Sequence, residues 1–294
     1  MCLLNAASNS GKAEDVRARL DALFATHGLT ATILGCDSAD IVRSLHEAVT
    51  QGAGMLVAAG GDGTVNTVAS VAADTGAILG VLPLGTLNHF AKDNGIPLDL
   101  EAAVATLAAG RTAHVDAGEV NGHIFVNNSS IGLYPQVVHN REKSQAKGTG
   151  KWNAFLQAVL YVMRRYARLH VSMAAPEKTM ALRTPFVFIG NNRYEVAGLQ
   201  AGSRQHLDHG VLWIHAAPNA GRARLLWLAV KTLLGFASHR EWHNFETRAL
   251  EIHLRGSSVR VSVDGEVVRL ASPLRYRTLP GVLKVMVPGV DAAP

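Results

Sequence analysis

The sequence predicts an α/β domain with a parallel sheet, followed by a mostly antiparallel β domain. Strand-like and helix-like segments alternate over the first 115 residues, the pattern of a parallel sheet with helices packed on it. Beyond that point, short strand candidates follow one another with turn residues between them, which is typical of antiparallel β-structure. We therefore predict two domains, residues 1–115 and 116–294, and leave open a return of the last strand to the first domain.

The first domain is predicted to contain four strands and three helices. Apolar residues recur at helical spacing in Ala13–Thr26, which predicts a helix there. Gly54–Ala59 is short and continuously apolar, as in a strand buried on both faces. The other predicted strands are Met1–Leu4, Leu29–Leu34 and Ala77–Pro83, and the other predicted helices are Ala39–Gln51 and Thr64–Ala73.

The second domain is predicted to consist of short strands interrupted by two helices, Lys151–Leu169 and Arg222–His239. Both helices are amphipathic and carry basic residues, so each is a candidate for contact with a membrane surface. The alternative is that their apolar faces pack on the β domain. The predicted strands are His114–Glu119, His123–Ser129, His170–Ala174, Thr184–Ile189, Gly210–Ala216, Leu250–Leu254, Val259–Val263 and Val282–Val287.

Composition limits the classes of protein to consider. The formal net charge of +5 favours an anionic partner, such as phosphate groups or an anionic lipid surface. The two cysteines, Cys2 and Cys36, form no CxxC pair and indicate no disulfide framework. No apolar run reaches the roughly 18 to 20 residues that span a bilayer, and the N-terminus has no signal-peptide pattern. We therefore expect a cytoplasmic protein.

Residues 60–64 read Gly-Gly-Asp-Gly-Thr and connect a predicted buried strand to a helix. In open α/β sheets, ligands bind at the carboxyl ends of the strands. Glycines let the backbone approach a phosphate closely, and the start of the helix supplies free N–H groups. We interpret the Asp62 carboxylate as a partner of Mg²⁺ or of a reacting hydroxyl group. A plain strand-to-helix turn is the alternative, but the unbroken motif with Asn66 behind it favours a nucleotide site.

A second polar loop follows the next predicted strand, in the segment LPLGTLNHFA over residues 82–91. Gly85 provides backbone freedom, Thr86 a hydroxyl group, and Asn88 an amide that both donates and accepts hydrogen bonds. Loops at the ends of neighbouring parallel strands face one crevice. We therefore expect this loop to complete the nucleotide site.

A third polar loop, NAASNSGK over residues 5–12, follows the first strand. It lacks the first Gly and the final Ser or Thr of a P-loop, so we reject that interpretation. Asn5 and Ser10 are nevertheless candidates for contact with phosphate.

The order of these three loops resembles the catalytic domain of the diacylglycerol kinase family, which includes bacterial lipid kinases and sphingosine kinases. The resemblance extends over essentially the whole chain. It implies an N-terminal domain similar to phosphofructokinase and NAD kinase, a C-terminal β-sandwich, and a lipid cleft between them. It also implies transfer of phosphate from ATP, with Mg²⁺, to a hydroxyl of diacylglycerol or a related lipid. Its implied nucleotide residues are Asn5, Gly60, Gly61, Asp62, Gly63, Thr64, Asn66 and Thr86.

The second domain contains one more match to the family, Asp264-Gly265-Glu266. In the family, a turn of this sequence sits opposite the nucleotide and supplies the base that accepts the proton of the lipid hydroxyl. Without the resemblance, the segment would be interpreted as an ordinary hairpin with an Asp-Gly turn. We take Glu266 as the first candidate for the base and Asp264 as the second, and expect both carboxylates to project toward the cleft.

Two residues depart from the family pattern. His89 stands where the family usually has Asp, and His209 stands where a second Asp binds a structural Mg²⁺. Because Mg²⁺ prefers oxygen ligands, we expect that ion to be weak or absent, with Asp208 as the remaining candidate ligand. His206 and His209 are interpreted as solvated loop histidines rather than metal ligands.

Two alternative functions are left open: an NAD kinase, which also carries the Gly-Gly-Asp-Gly-Thr motif, and a nucleotide- or lipid-binding regulator without turnover. The expected partners of the enzyme are a lipid substrate, the inner face of a membrane as a peripheral contact, and a second copy of the chain in a homodimer. No nucleic acid partner is expected.

Overall fold

The computed structural model describes residues 1–5, 13–35, 40–132, 169–195, 202–219, 221, 227 and 242–289. Ser10 and nearly all of the two helices predicted for the second domain lie outside the described residues. The helices are α1 (Ala13–Thr26), α2 (Ile41–Thr50), α3 (Asp62–Thr75), α4 (His89–Asp93) and α5 (Leu100–Ala109).

The described strands are numbered in chain order. The first eight are β1 (Cys2–Leu4), β2 (Ile33–Gly35), β3 (Met55–Gly60), β4 (Ile78–Pro83), β5 (Thr112–Val120), β6 (His123–Phe125), β7 (Asn128–Gly132) and β8 (Leu169–Ala175). The others are β9 (Lys178–Thr184), β10 (Phe186–Asn191), β11 (Leu212–Ala216), β12 (His243–Thr247), β13 (Ala249–Leu254), β14 (Ser258–Val263), β15 (Glu266–Ala271) and β16 (Leu274–Met286).

The chain divides into two compact units. The first contains Met1–Ala117 together with Leu279–Pro294, and the second contains Gly118–Thr278. The second unit is therefore continuous in sequence, whereas the first is completed by the end of the chain. The predicted second domain, residues 116–294, differs from the second unit mainly because Leu279–Pro294 belong to the first unit.

The first unit is the predicted α/β structure. Its parallel strands lie in the order β2-β1-β3-β4, and the end of β16 pairs with β4 in parallel, with Lys284 opposite Ile78. Strands β3 and β4 are apolar and buried along nearly their whole length, as expected for strands covered on both faces. Helix α3 buries the side chains Val65, Val68 and Val71 among others. Apolar burial therefore fixes the strand ends that precede the polar loops.

The second unit is a β-sandwich, as the resemblance implies. Six strands form one sheet in the order β12-β11-β10-β7-β14-β15, with antiparallel pairing throughout. In the other sheet, β13 pairs antiparallel with β8 and with the first residues of β16, and β8 pairs with β9. Buried residues of both sheets form one core, which includes Ile131, Ile189, Ile214, Met173 and Ile252.

Several predicted elements differ from the structure. The single strand predicted at His123–Ser129 is two strands, β6 and β7, and the predicted Val282–Val287 strand begins eight residues earlier, at Leu274. Helix α5 was not predicted, because its sequence LEAAVATLAA has almost no polar face to show a helical period. Among the described residues, no helix is long and apolar enough to cross a bilayer.

Candidate active site

Three polar loops leave the carboxyl ends of three adjacent parallel strands in the first unit. Asn5 follows β1, and residues 84–88 follow β4. The glycine segment begins at Gly60, the last residue of β3. Ligands of open α/β sheets bind at such strand ends. The sheet therefore brings Asn5 together with the second and third loops that the sequence singles out.

The glycine segments of the second and third loops are in direct backbone contact. The Leu84 N–H donates to the Gly60 carbonyl at 3.0 Å. A Cβ atom on Gly85 would lie 2.5 Å from Gly61 Cα and 2.8 Å from Asn88 Oδ1. Only a residue without a side chain permits this approach. Gly85 is thus required for the packing of one loop against the other.

The Asp62 carboxylate joins the glycine segment to helix α4. Its Oδ2 accepts a hydrogen bond from His89 N–H at 3.3 Å, and its Oδ1 accepts one from Phe90 N–H at 3.2 Å. These amides belong to the first turn of α4, where a negative charge is stabilising. Asp62 is half-buried, and each carboxylate oxygen retains lone-pair capacity for another partner. An oxygen ligand of this kind fits Mg²⁺.

Two side-chain amides, those of Asn5 and Asn88, make hydrogen bonds within the site. Asn5 Nδ2 donates to Thr64 Oγ1 at 3.1 Å, which ties Asn5 to the start of α3. Asn88 is buried and has a positive φ of 50°. Its side-chain Nδ2 donates to the Gly85 carbonyl at 2.8 Å, and its Oδ1 accepts a hydrogen bond from Gly85 N–H at 3.1 Å. The structure therefore gives Asn88 a role in shaping the loop.

The remaining nucleotide candidates lie at the same edge. Thr86 is exposed in the third loop, whereas Gly63 and Asn66 are half-buried in the first turns of α3. Helix α3 begins after Gly61, and among the described residues no side chain caps it. The first N–H groups of a 14-residue helix, with the positive end of its dipole, therefore point out of the sheet edge where an anion can bind.

The Asp-Gly-Glu segment of the second unit is a tight hairpin. Val263 pairs with Glu266 across the turn between β14 and β15. Asp264 and Gly265 both have positive φ, 45° and 93°, as in a two-residue type I′ turn. Glu266 is exposed at the start of β15. The segment is therefore the hairpin that the residues alone predict, and it presents the Glu266 side chain to solvent.

The Asp264 carboxylate is directed at the protein backbone. Its Oδ2 accepts a hydrogen bond from Val126 N–H at 2.7 Å, and its Oδ1 accepts from Asn127 and Asn128 N–H at 2.9 and 2.8 Å. We expected both carboxylates of the turn to project toward the lipid cleft. For Asp264 this expectation is corrected, because three backbone amides bind its two oxygens and anchor the hairpin to residues 126–128.

A polar cluster that sequence reasoning missed holds two of these residues, Val126 and Asn127, through their oxygen atoms. The buried Arg204 donates to the Val126 carbonyl at 2.6 Å and to Asn127 Oδ1 at 2.9 Å. Asn191 Nδ2 also donates to the Val126 carbonyl, and the Tyr194 hydroxyl donates to the Asn127 carbonyl, each at 3.0 Å. These partners are separated by more than 60 residues, so no local pattern indicates them.

A loop of the second unit brings two imidazoles and one carboxylate together. His206, Asp208 and His209 each offer one ligand atom, and these atoms lie within 4.8 Å of one another. All three residues are exposed, as expected for solvated loop histidines, but their proximity was not expected. The donor set is mainly nitrogen and does not fit the structural Mg²⁺ of the family.

Comparison with known proteins accounts for both units. Residues 1–120 match the model of the diacylglycerol kinase catalytic domain, and residues 130–287 match the YegS C-terminal NAD kinase beta sandwich-like domain. The chain belongs to the diacylglycerol kinase-like family of lipid kinases. The matches confirm the family to which the three N-terminal loops and the Asp-Gly-Glu turn point.

Individual family members resemble the chain over nearly its whole length. A protein of Pseudomonas aeruginosa named "Probable lipid kinase YegS-like" is 32% identical over 282 residues, which cover 94% of this chain and 90% of that protein. A protein of the same name from Pseudomonas fluorescens is 30% identical and covers 94% of this chain and 91% of its own length.

Solved structures share the fold of this chain. One is the crystal structure of a diacylglycerol kinase from Bacillus anthracis, which superimposes with a TM-score of 0.74 at 18% sequence identity. The match covers 99% of this chain and 97% of the Bacillus chain. This likeness confirms an α/β unit followed by an antiparallel β unit.

Proposed function

We propose that the chain transfers the γ-phosphoryl group of ATP to a hydroxyl group of a lipid, with diacylglycerol as the first candidate acceptor. The observation that carries the proposal is the contact of two glycine loops, at Gly61 and Gly85, beside the N-terminus of α3. Closely packed backbone and free N–H groups suit a polyphosphate. Family membership supports a lipid as the acceptor of the phosphoryl group.

The first unit holds the phosphates in this proposal. The N–H groups at the start of α3 and in residues 86–88 donate to phosphate oxygens, and the loops exclude side chains from that space. Asn5 keeps Thr64 in position, and Asn88 keeps Gly85 in position, through the hydrogen bonds described above. Mg²⁺ bound to ATP would neutralise charge on the transferred group, and Asp62 is the residue we assign to hold it.

The second unit supplies the proton acceptor. The oxygen of the lipid hydroxyl forms a bond to the γ-phosphorus while the bond from that phosphorus to the bridging oxygen of ADP breaks. The hydroxyl proton passes to the Glu266 carboxylate, and ADP leaves. We prefer Glu266 over Asp264 because Glu266 is exposed, whereas the Asp264 oxygens are occupied by three backbone amides.

A phosphorylation assay with ATP and Mg²⁺ tests this proposal. Diacylglycerol, ceramide, sphingoid bases, phosphatidylglycerol and NAD are offered separately, the lipids in mixed micelles, and the phosphorylated product is identified. We expect one of the lipids to be phosphorylated, and a chain carrying Glu266→Gln to lose most of that activity. Phosphorylation of NAD alone would indicate an NAD kinase. ATP binding without any product would indicate a regulator.

A further inference from the structure

The loop between Arg204 and β11 brings together three side chains of the types that bind metal ions. The ligand atoms of His206, Asp208 and His209 lie within 4.8 Å of one another. The imidazole rings of His206 and His209 stack with centroids 4.3 Å apart and an interplanar angle of 14°. The two rings therefore lie face to face, and the carboxylate oxygen is close enough to the ring nitrogens for the three groups to hold one ion.

The chemistry of these ligands selects the class of ion. Mg²⁺ requires oxygen ligands in near-ideal octahedral geometry, whereas this set has two nitrogens and one carboxylate. Zn²⁺ is bound by two histidines and one carboxylate in several enzymes, with water at the fourth position, and imidazole also suits Co²⁺ and Ni²⁺. Three exposed protein ligands leave room for such a water molecule.

We propose that His206, Asp208 and His209 form a binding site for a divalent transition-metal ion of the Zn²⁺ class. The site replaces the structural Mg²⁺ that the family pattern implies at this loop. It is independent of the assignment of ATP and of the lipid acceptor.

The position of the loop indicates what the ion does. Arg204, two residues before His206, is buried and anchors the chain to the carbonyls of Val126 and Asn191. On the other side, Gly210 with a φ of 66° leads into β11. An ion bound between these two fixed points restrains the whole loop. Because it binds the folded loop and not the unfolded chain, it raises the stability of the second unit.

Titration with Co²⁺, a spectroscopic substitute for Zn²⁺, tests the proposal on the full chain after removal of bound metal with a chelator. We expect visible absorption that saturates at one ion per chain and disappears when Zn²⁺ is added. A large excess of Mg²⁺ should leave the absorption unchanged. The midpoint of thermal unfolding, followed by tryptophan fluorescence, should rise with Zn²⁺ concentration, since the four tryptophans lie in the second unit.

Single substitutions assign the ion to this loop. His206→Gln, Asp208→Asn and His209→Gln should each weaken Co²⁺ binding at least about tenfold, because even residues outside a ligand set change metal affinity by about 10- to 100-fold. His123→Gln serves as the matched control, because His123 is an exposed histidine of the same unit and lies outside the cluster. His209→Asp should reverse the preference, with weaker Co²⁺ binding and measurable Mg²⁺ binding at an oxygen-rich site.

The three ligands are exposed, so each variant should unfold at the wild-type temperature when no metal is added. The proposal is overturned if the wild-type chain binds no Co²⁺, or if His209→Gln binds it as tightly as the wild type. Loss of the signal in His123→Gln would also overturn it, because the ion would then be bound elsewhere.

Discussion

Two carboxylates of one hairpin, separated only by Gly265, have different surroundings. The oxygens of Asp264 accept three backbone hydrogen bonds from residues 126–128, and Glu266 is exposed at the start of the next strand. A carboxylate that must accept a proton during turnover needs an accessible oxygen. We therefore treat Asp264 as the residue that positions the turn and Glu266 as the candidate base.

Substitution of Glu266 by Gln should reduce kcat by about 10²- to 10⁴-fold, the usual contribution of a positioned proton acceptor. ATP affinity, measured by calorimetry, should stay near the wild-type value, because the nucleotide loops belong to the first unit. Glu246→Gln, at an exposed position of β12, is the control and should leave kcat unchanged. If Glu266→Gln keeps the full rate, the assignment of the base fails.

Substitution of Asp264 by Asn should act first on stability. The asparagine side chain has one acceptor oxygen and no charge. It therefore cannot accept the three backbone hydrogen bonds that the Asp264 carboxylate accepts. A hydrogen bond to a charged group contributes about 1.5 to 3 kcal/mol, so the midpoint of thermal unfolding should fall. A variant that unfolds at the wild-type temperature but has lost turnover would transfer the catalytic role to Asp264.

Asp62→Asn is expected to nearly abolish turnover with the fold intact. The single amide oxygen can still accept a hydrogen bond from one of the α4 amides, but a neutral group does not hold Mg²⁺ at the phosphates. Circular dichroism checks the fold, and the lipid phosphorylation assay measures the rate. Unchanged turnover would show that Asp62 does not hold Mg²⁺ at the phosphates.

At the scale of the elements, the site depends on the approach of two loops from neighbouring strands. A Cβ atom on Gly85 would lie 2.5 Å from Gly61 Cα, a backbone atom that cannot move aside without disturbing the end of β3. Gly85→Ala should therefore separate the loops and weaken ATP binding at least tenfold, or about 1.4 kcal/mol, as measured by calorimetry.

Gly54→Ala is the matched control for that substitution. Gly54 lies just before β3 in the same unit, has no positive φ, and has no heavy atom within 4 Å of the site of its added Cβ. The ATP affinity of the Gly54→Ala variant should equal that of the wild type. Equal ATP affinity in Gly85→Ala and Gly54→Ala would show that the loop contact is not needed for the nucleotide.

Local sequence patterns predicted the elements around the nucleotide site. Helix α1 has the predicted limits, and β3 and β4 lie within one residue of theirs, because continuous apolar runs and helical spacing are local signals. The order of the predicted strands also indicated that the loops containing Gly60 and Gly85 lie close together, and the two loops are in contact. The hydrogen bonds of Asn88 and Asp62 were not predicted, since their partners depend on the turn that each loop adopts.

Non-local contacts explain the elements that the sequence did not predict. The strand predicted at His123–Ser129 is interrupted because Asp264, more than 130 residues away, binds the N–H groups at the interruption. Strand β16 continues through Pro280 and Gly281, a pair of residues that is typical of turns. There the Asp116 carboxylate accepts the Gly281 N–H at 2.7 Å, a contact that no local pattern indicates.

At the scale of the whole molecule, the first unit is assembled from both ends of the chain. The last residues of β16 pair with β4, and Val287 N–H donates to the Arg111 carbonyl at 3.0 Å. Burial of one large apolar side chain stabilises a fold by about 1.5 to 3 kcal/mol, so burial of four contributes about 6 to 12 kcal/mol. A whole domain is stable by only about 5 to 15 kcal/mol. The four buried side chains of this segment are Leu283, Val285, Met286 and Val287.

A chain that ends at Thr278 should therefore lose the first unit and keep the second. The second unit is continuous from Gly118 to Thr278 and contains its own core, so its tryptophan emission should stay native-like. The five described helices all belong to the first unit, so the far-UV circular dichroism should lose much of its helical signal, and ATP binding should disappear. A chain that ends at Gly289 keeps the four buried side chains and is the matched control, with both signals at wild-type values. Retention of ATP binding by the shorter chain would show that the first unit does not need the returning strand.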